Sequence, residues 1–442
     1  MIVKRKEYNK LVRVSALALV AALGASGTAF ASGYGLREAT PDSMGTGFSG
    51  GPAKAYDAST VWTNPAGMAL LDDNELTTGI SYISPTVNFT GTATDPVTGG
   101  NTTGVTGHSN GNNIAPAASA ATFAVFKLTP AWRIGFSLTA PFGQRIAYPD
   151  NFVGRYQSLV TSVTDINLGM AVSYKVNDKF SVGGGPNIDY FDARLTQALA
   201  TPLSPVTGQD AFADVHGNNI GFGYNLGALY KFDDATRIGI DYRSRIRHNI
   251  DGETRVTVPS IYSTISPPLA SYLNSLTTGN RTNVTLPDSL STGIYHQVTP
   301  QLALVGSVEW TDWSLFNKLD ISHTNGTPAT IVYENWHNSW YIGVGANYQL
   351  NEKLLLQGGF GWDQSPVTDS IRTTRVPDSN RYDIGFGVQY QVLPSTKLQI
   401  AYLHLFSPGG SINNSAGATA GTIVGDYGLS ANSVTAGLTA KF

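Results

Sequence analysis

The sequence predicts an all-β protein: a 14-stranded antiparallel transmembrane β-barrel with an amino-terminal plug inside its lumen. Three observations predict it. The last ten residues alternate, with Val434, Ala436, Leu438, Ala440 and Phe442 on one face and Ser433, Thr435, Gly437, Thr439 and Lys441 on the other. A period of two marks a strand whose faces meet different solvents. From Glu75 onward the chain repeats one unit: alternating run, short polar turn, alternating run, longer polar loop. Charged residues make up only 13% and glycines number 48, a poorly charged surface for an aqueous protein but an expected one for a lipid-facing barrel.

The chain divides into three parts. Residues 1–31 read as a secretory signal peptide: Lys4, Arg5, Lys6, Lys10 and Arg13 precede an apolar run from Val14 to Ala25, and Ala29-Phe30-Ala31 offers a small-x-small cleavage site. The run is too short to span a bilayer. Cleavage before Ser32 leaves 23 basic and 30 acidic residues, a net charge of −7, and no basic footprint for nucleic acid. Cysteine is absent, so neither disulfides nor thiol chemistry is available.

Residues 75–442 form the barrel. Tight turns fall at Thr129-Pro130, Asn177-Asp178, Asp233-Asp234-Ala235, Thr299-Pro300, Asn351-Glu352 and Pro394-Ser395, residue types that favour turns through local hydrogen bonds or a preset φ. Six turns give twelve strands. A first run at Glu75–Thr92 and the closing run make fourteen, and an even count puts both chain ends on the short-turn, periplasmic side. Tyr174, Tyr230, Tyr348 and Tyr390 each lie a few residues from a turn, where an interfacial aromatic girdle belongs.

Residues 32–74 break the pattern, being rich in Gly and Ala with no long alternation. A fourteen-strand lumen is too wide for wall side chains to fill, so this segment is expected as a plug, or hatch. It contains two enzyme-like strings, GxSxG at Gly47–Gly51 and GxGxxG at Gly45–Gly50. Both need an α/β context that this chain lacks. The seven histidines show no metal-ligand spacing. Neither a catalytic site, a metal nor a cofactor is expected.

Three features point to transport. In the run Thr236–Asn249, Ile238, Ile240 and Tyr242 take the lipid face, which puts Arg237, Asp241, Arg243, Arg245 and Arg247 on the lumen side. Each Arg on lipid near the midplane would cost about 2–4 kcal/mol. The row is expected either to attract carboxylates or to pair with the plug and surface lipopolysaccharide. Ala140-Pro141-Phe142-Gly143 interrupts the third strand, where Pro cannot donate to the ladder and Gly marks a bend. A break there opens a gap in the wall, or simply ends the strand. In the loop Thr257–Gly279, Leu269, Tyr272, Leu273 and Leu276 follow helical spacing after Pro267-Pro268. Their exposed apolar face suits a ligand groove or a neighbouring loop.

Short motifs in order along the whole mature chain resemble the FadL family of outer-membrane long-chain fatty-acid and hydrocarbon transporters (OmpP1/FadL/TodX). They are Asn64-Pro65-Ala66-Gly67, Pro141-Phe142-Gly143, Gly154-Arg155-Tyr156, Gly223-Tyr224-Asn225, Arg237-Ile238-Gly239, Tyr242-Arg243-Ser244, Trp310-Thr311-Asp312-Trp313-Ser314, Pro377–Arg381 and the terminal Phe442. The resemblance implies a barrel closed by a hatch, an outer hydrophobic groove, and a kinked third strand forming a lateral opening. It implies passive uptake of fatty acids or other hydrophobic compounds in the outer membrane of a Gram-negative cell. Arg155 is the first candidate for contacting a ligand carboxylate, and Arg243, Arg245 and Arg247 the second. Expected partners are hydrophobic small molecules, outer-membrane lipid, lipopolysaccharide, and the barrel-assembly machinery through the closing strand. Import of aromatic hydrocarbons is the nearest alternative; a general porin or an outer-membrane lipid enzyme would be a different class.

Overall fold

The computed structural model describes residues 32–105, 116–417 and 419–442; the expected signal peptide lies outside the described residues. Among them the ladder segments join into fourteen barrel strands. These are β1 (Glu75–Ala93), β2 (Ala117–Lys127), β3 (Trp132–Thr139, resuming at Gly143–Ala147), β4 (Val160–Lys175), β5 (Phe180–Leu199), β6 (Ala211–Lys231) and β7 (Thr236–Arg243, resuming at Ile246–Thr257). Then follow β8 (Thr278–Leu286, resuming at Ser289–Gln297), β9 (Leu302–Thr311, extended by Lys318–His323), β10 (Ser339–Asn351) and β11 (Leu354–Asp363). The last three are β12 (Arg381–Leu393), β13 (Thr396–Phe406, extended by Gly410–Ser415) and β14 (Thr422–Lys441). β14 pairs with β1 from Glu75↔Lys441 to Ala93↔Ile423 and shuts the barrel.

The alternation sorts the faces as the sequence predicts. In β6, Ile220, Phe222 and Tyr224 are exposed to lipid, and the four turn-flanking tyrosines are exposed at one end, Trp132 packing 4.5 Å from Tyr174. In the closing strand Val434 faces out. Thr435 and Thr439 turn inward and bond Ser81 and Thr77 of β1 at 2.6 and 3.0 Å.

The hatch runs through the lumen as α1 (Pro41–Gly45), α2 (Gly51–Lys54), α3 (Thr60–Thr63) and a 3-10 turn at Pro65–Leu70. Asn64 ties it to the wall. Its amide donates to Pro52 O (2.7 Å) and to Ala228 O of β6 (3.0 Å), while its carbonyl caps Ala66 N. Glycines in the wall make room: a Cβ at Gly227 would strike Asn64, one at Gly239 would strike Pro52, and one at Gly385 would strike Met44. The GxSxG string is a tight turn of this hatch, with Gly47 and Gly50 at φ +54° and +77°. Ser49 there bonds Gly47 O at 3.5 Å and the Tyr341 side chain.

One expectation about the wall fails. Parity in β7 reverses at Ser244–Arg245, where the strand is interrupted. Ile246, His248 and Ile250 therefore turn inward and Arg247 outward. Arg243 keeps its lumen position. Arg245 sits partly exposed at the interruption, 2.5 Å from Asp288. A single irregular residue pair flips every side chain beyond it.

Candidate functional site

The ladder between β2 and β3 stops at Thr122↔Leu138, so Ala117–Ala121 pair with β1 but not with β3. Above that point β3 bends at Ala140–Phe142 and resumes against β4 at Gly143↔Thr164. The hatch takes up the freed backbone. Leu36 N donates to Pro141 O (2.7 Å), Gly143 N donates to Tyr34 O (2.9 Å), and Gly35 pairs with Phe142. The predicted break is thus a place where the hatch's own first residues act as a short strand against the wall.

Tyr34 is the centre of an aromatic cluster. Phe142, Trp313, Phe316 and Trp336 lie 4.8–5.9 Å from its ring. Leu286, Ile246, Val376 and neighbours extend this lining upward inside the barrel, and a second buried apolar cluster around Phe89, Phe152, Tyr427 and Leu405 fills another part of the lumen. A cavity of about 190 Å³ lies between hatch and wall, bordered by Leu36, Phe142, Trp313 and Ile246 on apolar sides and by Arg243, Glu309 and Asp189 on polar ones. Arg37 of the hatch pairs with Glu309 at 2.8 Å and lies over the Tyr341 ring.

Of the candidate cations, only Arg243 lines this cavity. Its guanidinium lies over Trp62, donates to Trp62 O, and sits 3.5 Å from Asp241, while Nη1 is buried without a hydrogen-bond partner. Arg155 stands elsewhere, in the β3–β4 loop. It pairs with Asp210 (2.7 Å), donates to Thr103 O (2.9 Å) and to the Tyr156 hydroxyl (3.1 Å), and so staples outer loops together. The predicted helix after Pro267-Pro268 forms at Pro267–Ser275. Leu269, Leu273 and Leu276 pack with Tyr262, Ala211 and Leu203 as a loop core. Tyr272 is 61% exposed and points away from them, so the four do not form one groove.

Tyr34, Trp336 and Glu334 carry geometry that the sequence reading did not assign, although an aromatic in a Gly-rich hatch was a usable signal. Glu334, in the β9–β10 loop, accepts from Trp336 Nε1 at 3.3 Å. Burial pushes its carboxyl up to about 7, against the pull of Arg375. Its folded-state value lies above the unfolded one, so its contribution to stability is full below about pH 4.3 and is lost as pH rises through about 7. The contribution is on the order of 3–4 kcal/mol. Apparent unfolding midpoints in detergent should therefore fall more between pH 5 and pH 8 in the native protein than in Glu334→Gln. Equal falls would remove this carboxyl from the account.

Fourteen strands with an apolar outer face, closed around the amino-terminal segment, define a membrane-spanning β-barrel with an occupied lumen. The chain belongs to the outer membrane protein transport protein family (OMPP1/FadL/TodX), whose model matches residues 22–442. It is 28% identical over 407 residues to a long-chain fatty acid transport protein of Salmonella typhi, covering 88% of this chain and 91% of that one. It is 27% identical over 431 residues to outer membrane protein P1 of Haemophilus influenzae, covering 90% of each. A crystal structure of a Pseudomonas aeruginosa FadL homologue superposes with a TM-score of 0.84 at 23% identity, over 93% of this chain and all of that one. The Ralstonia pickettii toluene transporter TbuX gives 0.66 at 18%, over 91% and 98%. These two likenesses concern the fold.

Proposed function

We propose that the protein is a passive channel that takes long-chain fatty acids, or hydrophobic compounds of similar width, across the outer membrane. The observation that carries this reading is the contiguous aromatic packing from Trp336 and Trp313 through Tyr34 to Phe142, where β3 leaves β2. An aqueous pore would offer an apolar molecule no favourable path at that level. Ligand lands on the outer loops, settles between hatch and wall, and leaves sideways past Pro141–Gly143 when Tyr34–Leu36 releases β3. Transport runs down the ligand's gradient. The fatty acid transport proteins among the relatives support an acyl cargo. The four-ring cluster around Tyr34 also suits a flat aromatic, which makes toluene-like compounds the second reading.

Arg243 is the favoured headgroup partner, because it borders the cavity and its buried Nη1 has no hydrogen-bond partner, whereas the Arg155 guanidinium is held by Asp210. Uptake of oleate, toluene and a small sugar, measured side by side in cells with and without the protein, tests both points. Oleate uptake should depend on the protein and sugar uptake should not. Arg243→Ala should weaken oleate binding about tenfold, the size of a charge-assisted hydrogen bond, and leave toluene unchanged. Protein-dependent sugar uptake alone would sink the channel reading. A loss of oleate affinity in Arg155→Ala, with none in Arg243→Ala, would move the headgroup to the outer loops.

A further inference from the structure

The wall has a second interruption, longer than the first. Between β6 and β7 the ladder runs regularly up to Asn225↔Arg243, stops, and resumes at Asn218↔Asp251. Six residues of β6 (219–224) therefore face seven of β7 (244–250) without ladder pairs. The contacts across are Ser244 N to Tyr224 O, Tyr224 N to Ser244 Oγ, and Asn219 Nδ2 to Asn249 O. The flanking strands are not disturbed: β5 pairs with β6 without a shift, and β7 keeps one register against β8 on both sides of its break. The two registers of β6 on β7 differ by one residue, which a single bulge would absorb. The resulting slit lies at the outer edge of the apolar band, with Ile220, Phe222 and Tyr224 exposed on its β6 side and Arg247 and Asn249 on its β7 side; backbone without a ladder there is costly and persists where it lines a cavity.

This slit borders the cavity, since Ser244 and Ile246 line both. It is about 20 Å long, at about 3.3 Å per strand residue. On its lipid side stand Ile220, Phe222 and Tyr224, at the end of the apolar band of β6 away from the periplasmic turn. Between the Ser244–Tyr224 and Asn219–Asn249 contacts it is closed by side chains. Ile246 and His248 lie across Gly221, where an added Cβ would come within 2.5 Å of Ile246 Cγ2 and 2.7 Å of His248 Cε1. The His248 ring stacks on Phe191 at 5.1 Å, and its Nε2 lies 3.2 Å from Asp189 Oδ1 of β5 without a hydrogen bond between them. Arginines mark both ends: Arg243 faces the cavity, and Arg247 stands exposed on the outer surface.

We propose that this slit is a second lateral port, at the level of the outer leaflet, through which single-chain anionic amphiphiles already in the membrane enter the cavity. The proposal rests on the reading of that cavity as the ligand's resting place. Ile246 and His248 form the stopper, the apolar edge of β6 guides the chain, and Arg247 and then Arg243 receive the headgroup.

The test uses the full chain, reconstituted in lipid vesicles, with oleate as probe. Because the native protein has no cysteine, Gly221→Cys/His248→Cys, at two positions that face each other across the slit and do not line the cavity, gives a slit that is locked when oxidised and free when reduced. Oleate is supplied either bound to albumin in water or preloaded in the outer leaflet. Oxidation should slow transfer of preloaded oleate at least fivefold, leave albumin-delivered oleate within twofold, and be reversed by a thiol reductant. Equal rates in the oxidised and reduced states on the preloaded route would overturn the port. So would equal slowing of both routes, the signature of a distorted cavity. A Gly35→Cys/Phe142→Cys lock run in parallel reports on the exit separately, so failure there leaves the port's own result legible.

Discussion

Oxidising a Gly35→Cys/Phe142→Cys variant should stop uptake of oleate, and reduction should restore it. Gly35 and Phe142 face each other between two flanking hydrogen bonds, Leu36 N to Pro141 O and Gly143 N to Tyr34 O. That is a non-hydrogen-bonded antiparallel pair, with Cα atoms about 4.5 Å apart, inside the range a disulfide accepts. The cross-link would hold the hatch against β3 where the two meet only through main-chain bonds and the Tyr34–Phe142 edge contact. At least a tenfold fall in rate is expected, because two backbone hydrogen bonds of about 1 kcal/mol each are replaced by a covalent tie. Uptake at the native rate in the oxidised form would show that ligand leaves without the hatch segment moving. The exit would then have to be sought elsewhere in the wall.

Asp42→Ala should make the barrel leak. Asp42 is buried in the hatch, pairs with Lys54 at 2.8 Å, and accepts from Gln357 of β11 and Gln389 of β12, each at 2.9 Å. Lys54 Nζ adds bonds to Asp42 O (2.7 Å) and Thr46 Oγ1 (2.9 Å). Removing one member of a buried pair leaves the other charge uncompensated, at about 3–5 kcal/mol. The cheapest relief is for this part of the hatch to leave the wall and let water reach Lys54. Single-channel recordings in planar bilayers should show open events rising roughly tenfold or more over the native protein. The double variant Asp42→Asn/Lys54→Met, which leaves no charge behind, should leak less than Asp42→Ala. A quiet Asp42→Ala barrel would mean that Asn64 and the Pro65–Leu70 turn suffice to hold the hatch.

The two predictions rest on features of different legibility. The strands were readable because lipid and lumen impose a period of two on every wall residue, and the six turns announced themselves by residue type. The break at Pro141–Gly143 was readable for the same reason, since Pro and Gly have few places in a ladder. Its partner was not: Tyr34 to Leu36 is one short stretch in a Gly-rich hatch, and its main-chain bonds to β3 leave no mark on side-chain pattern. The arginines show the limit most clearly. Counting by twos from Arg237 places Arg247 in the lumen, but the interruption at Ser244–Arg245 shifts the count by one and sends it outside. Arg155 drew notice by its motif, and only the fold shows Asp210 beside it. Leu269 and its neighbours follow helical spacing correctly, yet spacing does not say whether the apolar face meets ligand or the loop across from it.

By itself the sequence determined the compartment, the barrel and its strand number, since each follows from local periodicity or composition repeated over many residues. The tertiary structure decided what the hatch touches, which arginine borders the cavity, and where the ladder of the wall is interrupted. Those depend on single contacts between segments far apart in the chain, and one contact carries no periodic signal. The slit between β6 and β7 belongs to this second kind. Gly221, Ile246 and His248 are ordinary in sequence and become a stopper only when two strands stand side by side.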